Sequence, residues 1–203
     1  QTGIMLVPHM EVLVPAGHAL IERPPMRGKR IGIVTVGGSW GVALSDAMEE
    51  GGLTVPELSA GLQKKLRTFG MPRRASTKNP VDIGAAGFVF SVDDMVGIGR
   101  EVLTSGEVDA LILHGFGRPG MVTAETPDPI RFYAEVEKAV IRGFAALEAE
   151  VKKPVLVGSH YAPWQSQVIF DLNGEGVRIF NRLDEAAQIL NVLAEYWKRR
   201  GRE

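Results

Sequence analysis

Short unbroken apolar runs alternate along the chain with longer stretches whose apolar residues recur every three or four positions. The first rhythm belongs to buried strands, the second to helices packed on one face. Ile31, Ile33, Val34 and Val36 make the first clear run. Gly37, Gly38 and Gly41 interrupt it around Ser39 and Trp40, and Val42, Leu44, Ala47 and Met48 resume at helical spacing until Gly51 and Gly52 stop the helix. Residues 53–58 predict a second strand, held to a sheet edge by Pro56. Ser59 or Ala60 starts a helix carrying Leu62, Leu66 and Phe69, followed by an irregular stretch, 70–86, of a length that marks functional or mobile loops. Ser91 or Val92 opens a helix with Asp93 and Asp94 in its first turn, where the dipole favours carboxylates. The run 108–114 predicts a third strand buried on both faces. A long helix over 129–151 places Phe132, Val136, Val140, Phe144 and Leu147 on one stripe. A fourth strand (154–158), a helix (164–172), a fifth short strand (176–180) and a closing helix (183–198) complete the pattern.

Before residue 30 the text is apolar but broken by Pro8, Pro15, Pro24 and Pro25, which suits a short strand, a short helical segment and an extended linker. The expected organisation is therefore an N-terminal arm, 1–29, and one α/β domain, 30–203. Alternating strands and helices argue for a parallel sheet with helices on both faces. Five such strands suggest a flavodoxin-like, doubly wound sheet in the order 2-1-3-4-5. Its ligand crevice lies at the carboxyl ends of strands one and three, where the winding reverses. The glycine-rich turns 37–41 and 115–120 fall at those two ends.

Composition narrows the function classes. A net charge of −1 gives no broad electrostatic pull on nucleic acid, and the basic residues Lys198, Arg199, Arg200 and Arg202 read as a solvated helix end. The absence of cysteine excludes disulfides and thiolate chemistry and agrees with a cytoplasmic location. No apolar run reaches membrane-spanning length. Gln1 in place of a methionine, without a leader pattern, leads us to expect a piece of a longer or processed polypeptide.

The candidate chemistry is sparse. Gly37, Gly38, Ser39 and Gly41 match neither the phosphate loop of NTPases nor the dinucleotide fingerprint. They form either a tight connector or an anion site built from helix N–H groups. Trp40 caps the crevice or fills a subunit interface. Arg118 either grips an anion with its guanidinium or pairs with Glu125 or Asp128. His114 is a catalytic group or a neutral strand-end residue satisfied by backbone. Asp82, after Asn79 and Pro80, is an Asx-turn residue or a ligand contact. His160 has no adjacent acid, there is no Gly-x-Ser-x-Gly elbow, and no metal cluster can be made out.

Several of these stretches resemble one family. They are 31–46, Leu-x-x-Pro-Glu-Leu-Ser at 53–59, Lys-Asn-Pro-Val-Asp-Ile-Gly at 78–84, 108–113, 153–156, and 176–180 followed by Asp184-Glu185-Ala186. Together they resemble the last flavodoxin-like domain of the nucleoside-diphosphate-forming acyl-CoA synthetases, the superfamily of ADP-forming acetyl-CoA synthetase and succinyl-CoA synthetase. Residues 4–28 resemble the linker before it. The resemblance implies formation of acyl-CoA from an organic acid, CoA and ATP or GTP through an acyl phosphate and a phosphohistidine. It further implies that Gly37, Gly38, Ser39 and Gly41 offer N–H donors to the phosphoryl group, and that Phe116, Gly117 and Arg118 form the turn beside the organic acid. Arg118 replaces the family's second glycine there, and Gly38-Ser39-Trp40-Gly41 stands for Gly-Gly-Pro-Gly. Asn79, Asp82 and His114 are further candidates. The phosphorylated histidine, the CoA-binding domain and the ATP-grasp domain are implied to lie elsewhere, so no cofactor is expected to bind tightly to this domain, and ATP with Mg and CoA belong to the complete enzyme. The implied partners are the other domains or subunits of a synthetase. Two other readings stand beside this one: a non-catalytic regulatory or interaction module dimerising through Trp40 and the arm, and a stand-alone anion or nucleotide binder.

Overall fold

The computed structural model describes residues 4–7, 9–84 and 91–201. Its elements follow in the order α1 (Met10–Glu22), β1 (Ile31–Thr35), α2 (Gly38–Glu50), α3 (Ala60–Arg67), β2 (Val81–Asp82), α4 (Val92–Thr104), β3 (Ala110–His114), α5 (Asp128–Val151), β4 (Val155–Gly158), α6 (Gln167–Gly174), β5 (Ile179–Phe180) and α7 (Leu183–Arg200). All strand pairs are parallel, in the order β2-β1-β3-β4-β5. The doubly wound five-stranded sheet expected from the alternating pattern is thus observed.

Every residue of β1 and β3 is buried, as both faces of a parallel sheet must be when helices cover them. Strand alternation divides the core. Val34, Leu111 and Leu113 face α4, α5 and α6, whereas Ile31, Ile33, Ala110 and Ile112 face α1, α2 and α7. On the first face α4 meets α5 closely, because Gly99 leaves room for the Phe144 ring: a Cβ there would stand 2.4 Å from Phe144 Cε1. Helix starts follow local chemistry, Ser59 and Ser91 accepting N–H bonds from Leu62 and Asp94.

Five expectations need correction. Residues 53–58 do not form the second strand; Thr54 makes one isolated bridge to Arg30, and β2 lies instead inside the stretch read as irregular, whose residues 85–86 fall outside the described residues. Pro56 has no N–H to give a ladder. The edge of β1 is completed by Asn79, whose Oδ1 accepts the Ile33 N–H (2.9 Å) and whose Nδ2 donates to Ile31 O and Pro56 O (2.9 Å each). One side-chain amide therefore does the work of a strand residue between the Thr54 bridge and β2.

The arm carries no strand at 4–7, and its helix runs straight through Pro15. Burial of Val12, Ala16 and Ala19 against α7 outweighs the proline's missing hydrogen bond. On α5 the expected Val140, Phe144 and Leu147 are buried, but Phe132 is 66% exposed and Val136 only half-buried; Ala134, Glu137, Lys138 and Ile141 complete the buried face. The stretch expected as one helix from 164 is a 3-10 turn (Pro163–Gln165) followed by α6, and the fifth strand is shorter than expected. No described helix is long and apolar enough to cross a membrane.

Candidate functional site

The carboxyl ends of β1, β3 and β4 lie side by side, with Thr35, His114 and Gly158 in register. From these ends the chain leaves into α2, into the loop after His114 and into the segment 159–162. All three exits border one crevice, the one a doubly wound sheet opens where its winding reverses.

Gly37 holds the entrance to α2 in an extended conformation, its N–H donating to Thr35 Oγ1 while the Thr35 hydroxyl donates to Gly37 O (3.3 Å each). No side chain caps the helix. Gly38 and Ser39 are exposed, and their N–H groups stand at the opening, where the helix has no preceding carbonyl to receive them. The N–H groups of Trp40 and Gly41 turn inward to Gly37 O (3.1 Å each). Gly41 is buried, and its role is close approach: a Cβ there would lie 3.0 Å from Pro80 Cβ. Of the four predicted turn residues, two therefore present donors and two shape the turn. The helix dipole adds to the preference for an anion at this end.

Asp82 is an Asx-turn residue whose second carboxylate oxygen borders the α2 opening. Its Oδ1 accepts the Gly84 N–H at 2.8 Å, while Oδ2 lies 3.0 Å from where a Cβ of Gly38 would stand. Asn79 belongs to the frame, its amide committed to β1 and Pro56.

Rings close the crevice from above. The Trp40 indole stacks on the His160 imidazole, centroids 4.6 Å apart and planes 12° from parallel, and lies 5.2 Å from His114. His114 and His160 stand 6.2 Å apart, and Tyr161 packs against His160 at 4.0 Å. His114 is 1% exposed, and its Nδ1 has no hydrogen-bond partner, so the expected backbone satisfaction is absent at that atom. Burial, with a smaller contribution from His160, pushes its pKa down to about 4; burial also lowers that of His160. His114 is thus neutral near pH 7.

The loop after β3 depends on glycine. Gly115 and Gly117 have φ of 94° and 89°, and a Cβ on Gly117 would lie 2.4 Å from Ile169 Cδ1. Phe116 is packed into the core beneath, so this loop shows the crevice its backbone. Arg118 pairs with neither Glu125 nor Asp128. Its backbone N–H donates to Glu137 Oε2 (2.9 Å), its Nη2 to Glu137 Oε1 (3.1 Å), and the guanidinium lies over the Tyr133 ring at 5.1 Å. Glu137 is buried on α5, and its side chain fixes the loop by gripping both ends of Arg118. Sequence reading passed over Glu137, although a carboxylate one turn beyond Tyr133 on an otherwise apolar face was a visible signal. It also left Trp40 without its partner, because the Trp40–His160 stack joins residues 120 positions apart.

Residues 31–163, from β1 to the start of the 3-10 turn, match the model of the Ligase-CoA domain. The chain belongs to this family. The Ligase-CoA match contains the α2 opening, the glycine loop and the ring cluster. Among curated relatives, the alpha subunit of an ADP-forming acetate–CoA ligase II from Pyrococcus furiosus is 30% identical over 86 residues, covering 42% of this chain and 18% of that protein. A crystal structure from Pyrococcus horikoshii OT3 superposes with TM-score 0.76 at 25% identity, covering 99% of this chain and 43% of that one. The dinucleotide-forming acetyl-coenzyme A synthetase 1 of Ca. Korarchaeum cryptofilum, in its apo form, shares the fold with TM-score 0.72 at 24% identity, covering 98% of this chain and 40% of that one. This Ligase-CoA domain therefore spans less than half the length of the relatives it matches. Among its described residues no cluster of His, Asp and Glu could hold a metal ion.

Proposed function

We propose that this domain is one part of an NDP-forming acyl-CoA synthetase and that the opening of α2 is its contribution to the phosphoryl site. The uncapped opening, with Gly38 and Ser39 exposed at a crevice of neutral imidazoles, carries the reading. Membership of the Ligase-CoA family and the printed activities of its relatives support it. In the reaction, an organic acid, CoA and ATP yield acyl-CoA, ADP and phosphate through an acyl phosphate and a phosphohistidine. The N–H groups of Gly38 and Ser39 donate to phosphoryl oxygens, where oriented donors need little reorganisation as charge moves. The backbone of Gly115 to Arg118 lines the acid side, with Arg118 held by Glu137. The histidine that carries the phosphoryl group, and the sites for Mg-ATP and CoA, come from the other domains or subunits, so the domain is inactive by itself.

The test is to assay ADP release on addition of acid, CoA and ATP to the complete protein and to this chain alone. We expect acid-dependent release from the complete protein only. Acyl-CoA formation by this chain alone, or an intact protein that releases no ADP in response to any acid, would contradict the proposal.

A further inference from the structure

At the amino-terminal end of the sheet, away from the α2 opening, the linker before β1 and the last turns of α7 enclose a cleft of about 470 Å³, a volume in the range of small-molecule sites. Arg27, Lys29, Lys198 and Arg200 line it, and no described carboxylate does. Charge of one sign is thus gathered at one place in a chain whose net charge is −1. Glu195, which lies in the field of Lys198, is already paired with Lys29 at 2.7 Å. Arg27 and Lys198 are exposed, and Arg200 leans over the Tyr196 ring at 5.4 Å; none of the three forms an ion pair with a described carboxylate. The helix dipole answers for about half a charge at the end of α7, and Arg27 belongs to no helix, so the set exceeds what that end calls for.

Trp197 adds a donor to these cations. Its indole lines the same cleft, edge-on to Tyr196 with centroids 5.3 Å apart, and its buried Nε1 has no acceptor among the described residues. An indole N–H can only donate, and burying it unpaired is costly until an acceptor reaches it. We propose that this cleft binds a polyphosphate group, free or carried on a nucleoside, with Arg27, Lys198 and Arg200 meeting the phosphate oxygens and Trp197 donating its N–H. A single carboxylate would leave two cations unanswered and fill little of the space. Like charges around one cleft repel, and a multiply charged anion turns that repulsion into attraction. No imidazole, carboxylate or hydroxyl side chain stands among the described lining residues, so the cleft holds its ligand without a general acid or base beside it. Binding there ties the linker after α1 to the closing helix and thereby stabilises the folded chain. The inference is independent of the synthetase reading.

The test titrates the full chain with inorganic tripolyphosphate and, separately, with ADP, by calorimetry and by NMR of the indole N–H signals, of which Trp197→Phe identifies one. Both ligands should bind, more weakly as salt is raised, and should shift the Trp197 signal. Reversing two exposed charges together, Arg27→Glu with Lys198→Glu, should weaken binding at least about tenfold while the melting temperature of the free chain stays near wild type. Gly38→Pro, which deletes an N–H at the α2 opening, should leave the Trp197 shift and its affinity unchanged. Tighter binding of ADP would support the site and identify the nucleoside form; equal affinities would support it and identify the free polyphosphate. A Trp197 signal unmoved by either ligand, or binding that survives the double charge reversal and is lost in Gly38→Pro, would overturn the inference.

Discussion

Asn79 shows how much one residue can hold. Its amide supplies three hydrogen bonds to backbone where no strand residue is available. Asn79→Ala should lower stability by about 3 kcal/mol, since buried Ile33 N–H and Ile31 O lose their partner; urea denaturation of the full chain measures it, and a loss below about 1 kcal/mol would show that the edge closes without the amide. His114 gives a pH signature. Its folded pKa of about 4 lies below the ordinary histidine value of 6.5, so its contribution is complete above pH 6.5 and is lost as pH falls toward 4, when the unfolded chain takes up a proton that the folded chain refuses. That loss amounts to about 3 kcal/mol across the window. Comparing wild type with His114→Asn between pH 7 and pH 4.5, the variant should lose distinctly less stability; parallel curves would place the burden on other groups.

At the scale of elements, long periodic segments were readable and pairings across the chain were not. The runs at β1 and β3 and the stripes of α4 and α7 declare themselves because burial on one or both faces writes its period into the sequence. β2 is only two residues long and leaves no period, and Pro56 made its neighbour look like an edge strand. The site was half readable for the same reason. Glycines at 37, 38, 115 and 117 signal turns locally, whereas the Arg118–Glu137 grip and the Trp40–His160 stack are tertiary. The grip predicts coupling between the β3 exit loop and α5. Glu137→Ala should cost about 2 kcal/mol by leaving a half-buried guanidinium without its carboxylate, and adding Arg118→Ala should restore at least about 1 kcal/mol of that loss. Strictly additive effects in a double-mutant cycle would mean that the pair does not hold the loop.

At the scale of the whole molecule, the carboxyl ends of the parallel sheet gather N–H donors, with no nucleophile of evident strength among the described residues. Two helical layers fix β1, β3 and β4, and these fix the α2 opening, the glycine loop and the rings against one another. We propose this face as half of a site, a reading that membership of the Ligase-CoA family supports. We propose that the α2 opening donates to a phosphoryl group. Gly38→Pro tests it most directly. Proline suits the first helical position, the extended Gly37 before it accommodates the ring, and the exchange deletes one N–H that no helical carbonyl uses, while its Cβ, 3.0 Å from Asp82 Oδ2, asks that flexible side chain to shift slightly. In the complete synthetase, with thermal melting as the control for folding, the acid-dependent kcat/KM of this variant should fall roughly a hundredfold, the usual cost of one lost oxyanion donor. A variant that melts like the wild type and retains its full turnover would show that the turn is only a connector.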